Sequence, residues 1–488
     1  MKKWNILNKA TKLTEDELLN ILLENRGITT RGQRDKFLAP NLSDVTIESV
    51  KIDKKNLKKA IERIKKSIIH KKQIIVFGDY DVDGICGSAI LWETLNGLKA
   101  NVTPYIPSRI EEGYGLSIKG IDNLLTTYPE IDLIITVDNG VVANKAIEYA
   151  NKKGIDVIVT DHHAPSNKKP NAYSIVHTTL LCGAAVAYLL SRQLKTSSQD
   201  NHLELVCLAT IADLVPLTNA NRVLVYFGLQ ALRKTKRIGL LSLFKSALVE
   251  KDTIDVYEIG HIIAPRLNAM GRLSSAMDSL RLICTTNEKR AITLSRSLSD
   301  TNLERQQYTL EALMHAKNKA KEKLVNKLLF IADGQYKEGV IGLVASRLVE
   351  EYYLPSIVIS KGKIYSKASV RSVKGFNIIE FLRQASDLLV DVGGHPMAAG
   401  FTVETQKLDL LEQKLYKLAS KLIKKDHLER VLNIDLELPV NFINFNTFYL
   451  IQKLKPFGMA NSEPIFTTKN LKVESLKLVG KDGKHLKL

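Results

Sequence analysis

The sequence predicts an α/β protein with a doubly wound parallel-sheet domain, a long helix, a second and smaller α/β domain, and a C-terminal β segment. Three observations support this fold class. Between residues 54 and 285, β-branched apolar runs alternate with amphipathic stretches. From Arg272 to Asp333 the chain contains no glycine or proline, which indicates a long helix, and the alternation resumes after it. We expect domain boundaries at 1–53, 54–285, 286–326, 327–430 and 431–488.

The first two segments are a helical arm and the larger α/β domain. In the arm, TEDELLNILLENRG is typical of a helix, and Thr14 with Glu17 fits a capping box. In the domain, strand and helix patterns follow one another, and ligands bind such sheets at the turns that follow the strands. The predicted pairs are QIIVFGD with GSAILWETLNGL, NVTPYI with IKGIDNLLTTY, DLIITVD with ANKAIEYANKKG, and DVIVTD with GAAVAYLLSRQL.

The later segments are a linker helix, a second α/β domain and a β tail. Charged residues with apolar ones three and four apart predict one helix bridging two domains. LLFIADG, GVIGLVASRLVEEYY and PSIVIS then predict strand, helix and strand, and the glycine-rich GGHPMAAGF at 393–401 predicts an anion-binding loop. The alternating VLNIDLEL and LKVESLKLVG predict strands of a small barrel that is incomplete at Leu488.

Composition narrows the class of partner. The 488 residues carry a formal charge of +18 with a pI near 9.4, which favours nucleic acid or an anionic lipid surface, although lysine enrichment from the base composition of a genome gives the same charge. The four cysteines are scattered, as expected for reduced thiols in the cytoplasm. The N-terminus lacks an apolar signal core and no run of 18 apolar residues occurs, so we expect neither secretion nor a membrane span.

Acidic clusters follow the predicted strands of the larger domain. The carboxyl ends of parallel strands meet at one edge of a sheet, so these side chains should lie together. Carboxylate with imidazole, and no thiolate, favours Mn²⁺ or Mg²⁺ over a structural zinc, and two such ions suit phosphoester hydrolysis. The residues are Asp79, Asp81 and Asp83 in FGDYDVDG, Asp138 in TVDNG, Asp161, His162 and His163 in TDHH, and Asp213 in TIADLVPL.

Several of these interpretations have open alternatives. A DxD pair alone is more typical of a solvated turn than of a metal site. Asp161 either binds a metal or orients a neighbouring imidazole, and Asp79 has the same two readings. The guanidinium groups in loop-like segments either grip phosphate or form surface salt bridges. They belong to Arg109, Arg266, Arg272 and Arg371, while the isolated His177, His202, His261 and His315 are expected to be surface or capped residues.

The motifs resemble those of a known superfamily. GDYDVDG, TVDNG, TDHH and ADLVP resemble the four motifs of the DHH phosphoesterases, and GGHPMAAGF resembles the glycine-rich signature of their DHH-associated domain. Further segments are similar to the RecJ family of bacterial single-strand-specific exonucleases. They are IPSRIEEGYGL, APRLNAMGRL, NLERQQ, GVIGLVASRL, VRSVKGFNI and KPFGMANSEPIF, so the resemblance covers nearly the whole chain.

The resemblance implies a 5′ to 3′ exonuclease that degrades single-stranded DNA to 5′ mononucleotides in recombination and repair. It further implies two Mn²⁺ or Mg²⁺ ions, an oligonucleotide-binding (OB-like) barrel in the tail, and a helicase and a single-strand-binding protein as partners. One ion would bind Asp81 and Asp138, and the other Asp83, Asp138, His162 and Asp213. His163 would contact the scissile phosphate, Asp79 and Asp161 would orient ligands, and the strand would contact Arg109, Arg266, Asn268, Arg272, Ser369, Arg371 and His395.

Departures from the pattern leave other functions open. Phe77 occupies a position where phosphatase relatives often have a metal-binding histidine, and Tyr336, Lys337 and Ala368 replace residues usual in the exonucleases. One alternative is a DHH phosphodiesterase of short oligonucleotides or cyclic dinucleotides, whose members usually lack the barrel and the linker helix. The other is a non-catalytic scaffold in replication or repair, which should have lost its metal ligands.

Overall fold

The computed structural model describes residues 2–9, 13–109, 111–194, 202–480 and 483–488. The strands are β1 Lys3–Asn8, β2 Gln73–Gly78, β3 Val102–Tyr105, β4 Ile131–Val137, β5 Asp156–Asp161, β6 Ser174–His177, β7 Leu329–Asp333, β8 Ser356–Ser360, β9 Tyr365–Arg371, β10 Leu389–His395, β11 Ala398–Glu404, β12 Val431–Glu437, β13 Phe466–Thr467, β14 Lys477–Val479 and β15 His485–Lys487.

The helices are α1 Glu15–Glu24, α2 Arg31–Leu38, α3 Lys54–Ile69, α4 Val82–Gly97, α5 Ile118–Thr127, α6 Asn144–Lys152, α7 Gly183–Leu194, α8 Leu203–Ala212, α9 Asn219–Arg233, α10 Ile238–Ser246, α11 Val256–Glu258, α12 Ala264–Leu273, α13 Met277–Cys284, α14 Glu288–Lys321, α15 Ile341–Tyr352, α16 Ile378–Arg383, α17 Leu408–Leu422 and α18 Phe445–Gln452. The chain forms two compact units, Met1–Pro40 with Arg430–Leu488, and Asn41–Glu429.

The larger unit begins with a five-stranded parallel sheet in the order β3-β2-β4-β5-β6. The strand order reverses between β2 and β4, because β3 lies on one side of β2 and all later strands lie on the other. In doubly wound sheets a crevice opens outside the carboxyl ends of the strands at such a reversal. The first two acidic motifs follow β2 and β4 and therefore meet there.

Side chains of the strands alternate between two hydrophobic cores. Ile74 and Val76 of β2 pack with α3, α4 and α7, whereas Ile75 and Phe77 pack on the opposite face with α5 and α6. Both faces of the sheet are covered, which explains why its strands are apolar throughout instead of alternating with polar residues. This arrangement confirms the predicted doubly wound fold class.

The helix α14 connects this sheet to a second one. Its alanines at 312, 316 and 320 pack against β7 and α15. The second sheet has the order β10-β11-β9-β8-β7, with β7 and β8 parallel and the other neighbours antiparallel. The glycine-rich segment forms the hairpin of β10 and β11, with His395 paired to Ala398 beside its turn.

The smaller unit combines the N-terminal arm with the C-terminal segment. The N-terminal segment contains the two helices α1 and α2, but it begins with β1, which pairs in parallel with β12. Buried Arg26 after α1 binds the Asp435 carboxylate at 3.3 Å, so the arm packs with the C-terminal segment. The strands described in residues 431–488 form a parallel sheet β1-β12-β13 and a separate hairpin β14-β15. A pairing between the two ends of a chain leaves no local pattern that a sequence reading can detect.

Among the residues that the structure describes, no helix combines the length and the apolar character needed to cross a bilayer.

Candidate metal centre and adjoining cleft

The first acidic motif lies on the turn between β2 and α4. The Asp81 carboxylate caps α4 by accepting hydrogen bonds from the backbone N–H groups of Asp83 at 2.9 Å and Gly84 at 3.1 Å. A Cβ atom at Gly84 would lie 2.5 Å from the backbone N and O atoms of Asp79, so the turn can close only on glycine. The turn therefore directs the three carboxylates of the motif toward one crevice.

The side chain of Asp83 is held by a second helix. Its Oδ2 atom accepts the Gly183 N–H and its Oδ1 atom the Ala184 N–H, both at 2.6 Å. These are the first N–H groups of α7, which otherwise lack partners, and the positive end of a helix favours a carboxylate. The helix start thus fixes the orientation of the Asp83 carboxylate.

Asp138 follows β4 in a left-handed backbone conformation, with φ of 62°. Its N–H donates to the Thr160 carbonyl at 3.0 Å, and Asn139 Nδ2 donates to the Val137 carbonyl at 2.8 Å, which stabilises the turn. A Cβ atom at Gly183 would lie 2.6 Å from the Asp138 Cβ atom. A strained non-glycine residue packed so closely is typical of a functional site.

The third motif places two imidazoles beside Asp138. Asp161 accepts the N–H groups of Val141, His162 and His163 and lies 2.8 Å from His163 Nδ1. Its carboxylate is fully used in orienting this motif. His162 Nε2 faces the crevice, 3.1 Å from an Asp138 oxygen.

The acidic side chains converge as the sequence predicts. His162 Nε2 lies 3.7 Å from Asp83 Oδ2 and 3.6 Å from Asp213 Oδ2, and Asp213 follows the end of α8. Potential ligand atoms lie within 4.8 Å of one another in three groups. The groups are Asp138 with His162 and His163, Asp83 with His162 and Asp213, and Asp79 with Asp81 and Asp138.

Among the residues that the structure describes, three buried atoms of this cluster have no hydrogen-bond partner of suitable geometry. They are Asp79 Oδ1, Asp138 Oδ1 and His162 Nε2. An orphaned buried acceptor costs free energy, and acceptors converging in this way are suited to a cation. Carboxylate oxygens and imidazole nitrogen are ligands that Mn²⁺ and Mg²⁺ accept. The donor set therefore fits divalent ions.

Crowding of the carboxylates shifts their protonation. Burial, with the charges of Asp83 and Asp81, raises the pKa of Asp138 well above its ordinary range, and the same causes raise the pKa of Asp213 to about 9. Burial lowers the pKa of His162. Burial also acts to lower the pKa of His163, but the hydrogen bond that His163 donates to Asp161 and the charges of Asp161, Asp83 and Asp81 together raise it, and the net shift is upward. A bound cation would relieve the repulsion among the carboxylates.

The surroundings of Asp79 favour a metal ligand over a residue that only orients one. Its side chain is 2% exposed, its Oδ1 atom has no donor, and it belongs to one of the three ligand groups. Phe77, at the position where relatives often have histidine, points into the core with α5 and α6. Asp79 thus brings a buried carboxylate to the cluster, whereas Phe77 brings no ligand atom.

An open cleft of about 490 Å³ adjoins the cluster, between the two sheets of the larger unit. Its walls include Arg109, Arg272, Ser369 and Arg371, four of the predicted substrate contacts, together with Tyr80 and Tyr114. Ser369 and Arg371 lie on one face of β9, and Gly342 at the start of α15 leaves room for them. A Cβ atom there would lie 2.9 Å from Ser369 Oγ.

The guanidinium groups of the cleft have no carboxylate within salt-bridge distance among the described residues. Arg272 Nη1 donates to the Gly339 carbonyl at 3.1 Å, and Arg371 Nη1 donates to Ser369 Oγ at 3.1 Å. Burial and nearby Arg109, Arg305 and Arg371 lower the pKa of Arg272 to about 10. Cations concentrated in this way indicate an anionic ligand.

The other three predicted substrate contacts, His395, Asn268 and Arg266, do not line this cleft. The His395 ring stacks 6.3 Å from the His163 ring, so the glycine-rich hairpin approaches the metal cluster. Asn268 does not line the cleft, because its Oδ1 atom accepts the Val82 N–H at 2.9 Å and supports the first motif. Arg266 donates to the Ile262 carbonyl at 2.7 Å, and its buried Nε atom has no partner. For Asn268 the structure therefore indicates a supporting role.

One residue of the site was missed by the sequence reading. The Tyr114 hydroxyl lies 3.2 Å from the Asp138 carbonyl and 3.2 Å from His163 Nε2, and the side chain is half exposed. It is flanked by Gly113 and Gly115, both with positive φ. A tyrosine between two such glycines projects from its loop, and the segment EGYG was the available signal.

Known protein families match three segments of this chain. The DHH family N-terminal domain matches residues 73–211, the DHHA1 domain residues 322–421, and the RecJ OB domain residues 434–488. The single-stranded-DNA-specific exonuclease RecJ of Haemophilus influenzae is 30% identical over 98% of this chain and 88% of its own length. The chain belongs to the RecJ family. This confirms the resemblance drawn from the motifs.

Other RecJ proteins are similar along the chain. RecJ of Bacillus subtilis is 33% identical over 99% of this chain, and the chain spans 63% of that relative's length. The crystal structure of RecJ in complex with Mn²⁺ from Thermus thermophilus matches with a TM-score of 0.84 and 29% identity, covering 99% of this chain and 72% of that one. The fold of the described residues is therefore a RecJ fold.

Proposed function

We propose that this protein is a metal-dependent exonuclease that removes mononucleotides from the 5′ end of single-stranded DNA in recombination and repair. The observation that carries the proposal is the cluster of orphaned acceptors beside a cleft with unpaired arginines. In this proposal the scissile phosphodiester lies at the cluster and the terminal phosphate in the adjoining cleft. RecJ proteins named as single-stranded-DNA-specific exonucleases support the substrate.

The residues of the cluster fit two Mn²⁺ or Mg²⁺ ions. Asp79, Asp81 and Asp138 would hold one, and Asp83, Asp138, His162 and Asp213 the other. When bound, such a pair of ions supplies a hydroxide and stabilises the charge that develops on a phosphoryl group.

The protein side chains supply the remaining chemistry. Asp161 accepts the Nδ1–H of His163, so Nε2, which lies 3.2 Å from the Tyr114 hydroxyl, can donate to a phosphate oxygen when the imidazole is protonated. The first two N–H groups of α7 hold the Asp83 carboxylate in place through its two oxygens. Positioning and charge stabilisation are the main contributions that a protein makes to phosphoryl transfer.

The cleft accounts for recognition of the 5′ end. Arg109, Ser369 and Arg371 would bind the terminal phosphate, with backbone N–H groups at the uncapped start of α15 as further donors. In the second sheet His395 pairs with Ala398, and Ala398 pairs with Arg371. The same sheet would therefore contact the strand both near the metal cluster, through His395, and at its terminal phosphate, through Arg371. We place the activity in the cytoplasm, with a helicase and a single-strand-binding protein as partners that supply the substrate.

The role of Asp79 can be measured by metal stoichiometry. We expect Asp79→Asn to bind one Mn²⁺ where the natural protein binds two, because one ligand group loses a carboxylate. The matched control is Asp161→Asn, which loses only orienting hydrogen bonds and should still bind two ions with about 10- to 100-fold weaker affinity. Titration calorimetry distinguishes the two, and two ions in Asp79→Asn would return Asp79 to an orienting role.

The role of Arg371 can be measured with strands that differ only at the 5′ end. We expect Arg371→Gln to lower kcat/KM for a 5′-phosphorylated strand by about 10- to 100-fold, since a hydrogen bond to a charged group is lost. A 5′-hydroxyl strand should lose much less. Arg383→Gln, which breaks an exposed pair with Glu380 in the same domain, is the control and should change neither. Equal losses on both strands would contradict a terminal-phosphate site.

The proposed activity is tested with two 3′-labelled single strands, one with an open 5′ end and one with its 5′ end closed in a hairpin. In Mn²⁺ only the open strand should shorten. Digestion of both would exclude an exonuclease that starts at the 5′ end, and hydrolysis of dinucleotides alone would favour a phosphodiesterase of short substrates.

A further inference from the structure

Arg109 differs from the other arginines of the cleft in how it is held. Arg272 and Arg371 donate hydrogen bonds to neighbouring groups, whereas Arg109 is exposed on an irregular segment and, among the described residues, has no carboxylate within salt-bridge distance. An arginine side chain has much rotamer entropy to lose, so a guanidinium on a loop binds anions poorly unless something holds it in place. Among the described residues, an aromatic ring beside Arg109 can hold it.

That feature is the ring of Tyr80. The Arg109 Cζ atom lies 5.2 Å from the centre of the ring, within the range of a cation–π contact. Such a contact restrains the guanidinium without occupying its N–H donors, whereas a carboxylate partner would compete with phosphate for them. The contact leaves Arg109 oriented but available.

The Tyr80 ring is itself fixed from several sides. The Tyr114 ring meets it edge to face, with centroids 6.2 Å apart. Behind it, α12 approaches so closely that a Cβ atom at Gly271 would lie 2.5 Å from the Tyr80 carbonyl oxygen and 3.2 Å from its Cβ atom. A residue packed on its backbone and braced at its ring is a rigid support.

Tyr80 also stands between Asp79 and Asp81 in the first acidic motif. The same short turn therefore carries metal-cluster carboxylates on both sides of the ring that supports Arg109. This places the arginine at a set distance from the cluster, which the removal of a single nucleotide requires.

We propose that Tyr80 is a positioning residue for the 5′ terminal phosphate, acting through the face of its ring on Arg109. The inference rests on the proposed function, because it assigns selectivity for the 5′ end within the same cleft. The ring, and not the hydroxyl group, is the part of Tyr80 that matters, so phenylalanine can replace it and leucine cannot.

The test measures binding first, so that its outcome does not depend on hydrolysis. Short thymidylate strands with a 5′ phosphate or a 5′ hydroxyl are titrated against the full chain in EDTA. We expect Tyr80→Phe to retain the preference of the natural protein for the phosphorylated strand, and Tyr80→Leu to reduce that preference by about 3- to 30-fold. The matched control is Tyr173→Leu, which removes a ring that lies 4.5 Å from Lys59 Nζ outside the cleft, and it should retain the preference.

Kinetics with Mn²⁺ supply the second measurement. For the phosphorylated strand, the Tyr80→Leu loss should appear in KM more than in kcat, since the ring positions the substrate and not the reacting atoms. The inference is overturned if leucine and phenylalanine variants have the same preference, or if the natural protein has none. A clear preference in binding with no hydrolysis of any strand would instead support the role of Tyr80 and contradict the proposed exonuclease.

Discussion

Replacing Asp138 by asparagine is expected to lower kcat for strand hydrolysis by at least about 10³-fold, with the fold intact. Asp138 belongs to two of the three ligand groups, so its loss weakens both predicted metal sites. Asparagine suits this position because it tolerates the left-handed conformation with φ of 62°. Initial rates over a range of Mn²⁺ concentrations measure the effect, and activity that excess Mn²⁺ fully restores would argue against a bridging ligand.

Although Asp138→Asn should lose activity, its free energy of unfolding without metal should not fall. Burial and neighbouring carboxylates raise the pKa of Asp138 above its value in the unfolded chain, so at pH above that ordinary value the side chain destabilises the metal-free fold. The free energy of unfolding of the metal-free variant should therefore equal or exceed that of the natural protein. Asp156→Asn is the control, because Asp156 lies at the other end of β5 and binds Arg63 Nε at 2.6 Å. It should keep its activity and lose some stability.

Replacing Gly183 by alanine is expected to lower kcat by roughly 10²-fold and to weaken Mn²⁺ binding, although no proposed ligand is removed. The new Cβ atom would lie 2.6 Å from the Asp138 Cβ atom, so either Asp138 or the start of α7 must move. Movement of α7 also breaks the bonds of 2.6 Å that hold Asp83. Displacement of this size at reacting groups is typically costly to catalysis.

The control for Gly183→Ala is Gly228→Ala. A Cβ atom at Gly228 would lie 2.5 Å from the Cys207 Cβ atom and 2.7 Å from the Leu203 carbonyl, where α9 packs on α8. Both substitutions overpack a helix contact and should lower the free energy of unfolding by about 1–3 kcal/mol. Only Gly183→Ala should weaken Mn²⁺ binding. If both variants lose activity in proportion to their stability, the contact between Gly183 and Asp138 has no special role.

The parts of the candidate metal centre that could be predicted from the sequence are those marked by local patterns. Strand ends are marked by β-branched runs followed by polar residues, so the motifs at Asp81, Asp138 and His162 could be assigned to one edge of a sheet before any coordinates. The bonds from α7 to Asp83 join residues 100 positions apart in the chain. No spacing rule reports such a contact, and the function of Gly183 was therefore not predicted.

The difference between local signals and long-range contacts also explains the results for Asp79 and for the N-terminal arm. Whether a strand-end carboxylate binds a metal or orients a neighbour depends on which donors reach it, and Asp79 Oδ1 is reached by none. Helix α1 was predicted correctly from its capping box at Thr14, which is a local signal. Strand β1 was not, because its partner β12 lies at the opposite end of the chain and long-range pairing is set by packing.

Product analysis tests the account most directly. A 5′-phosphorylated single strand is incubated with Mn²⁺ and the full chain, and the products at early times are identified by mass spectrometry. We predict that 5′ mononucleotides appear first, released from the 5′ end, and that none forms in EDTA. Products longer than one nucleotide, products released from the 3′ end, or products ending in a 3′ phosphate would contradict a metal cluster and a terminal-phosphate cleft held one nucleotide apart.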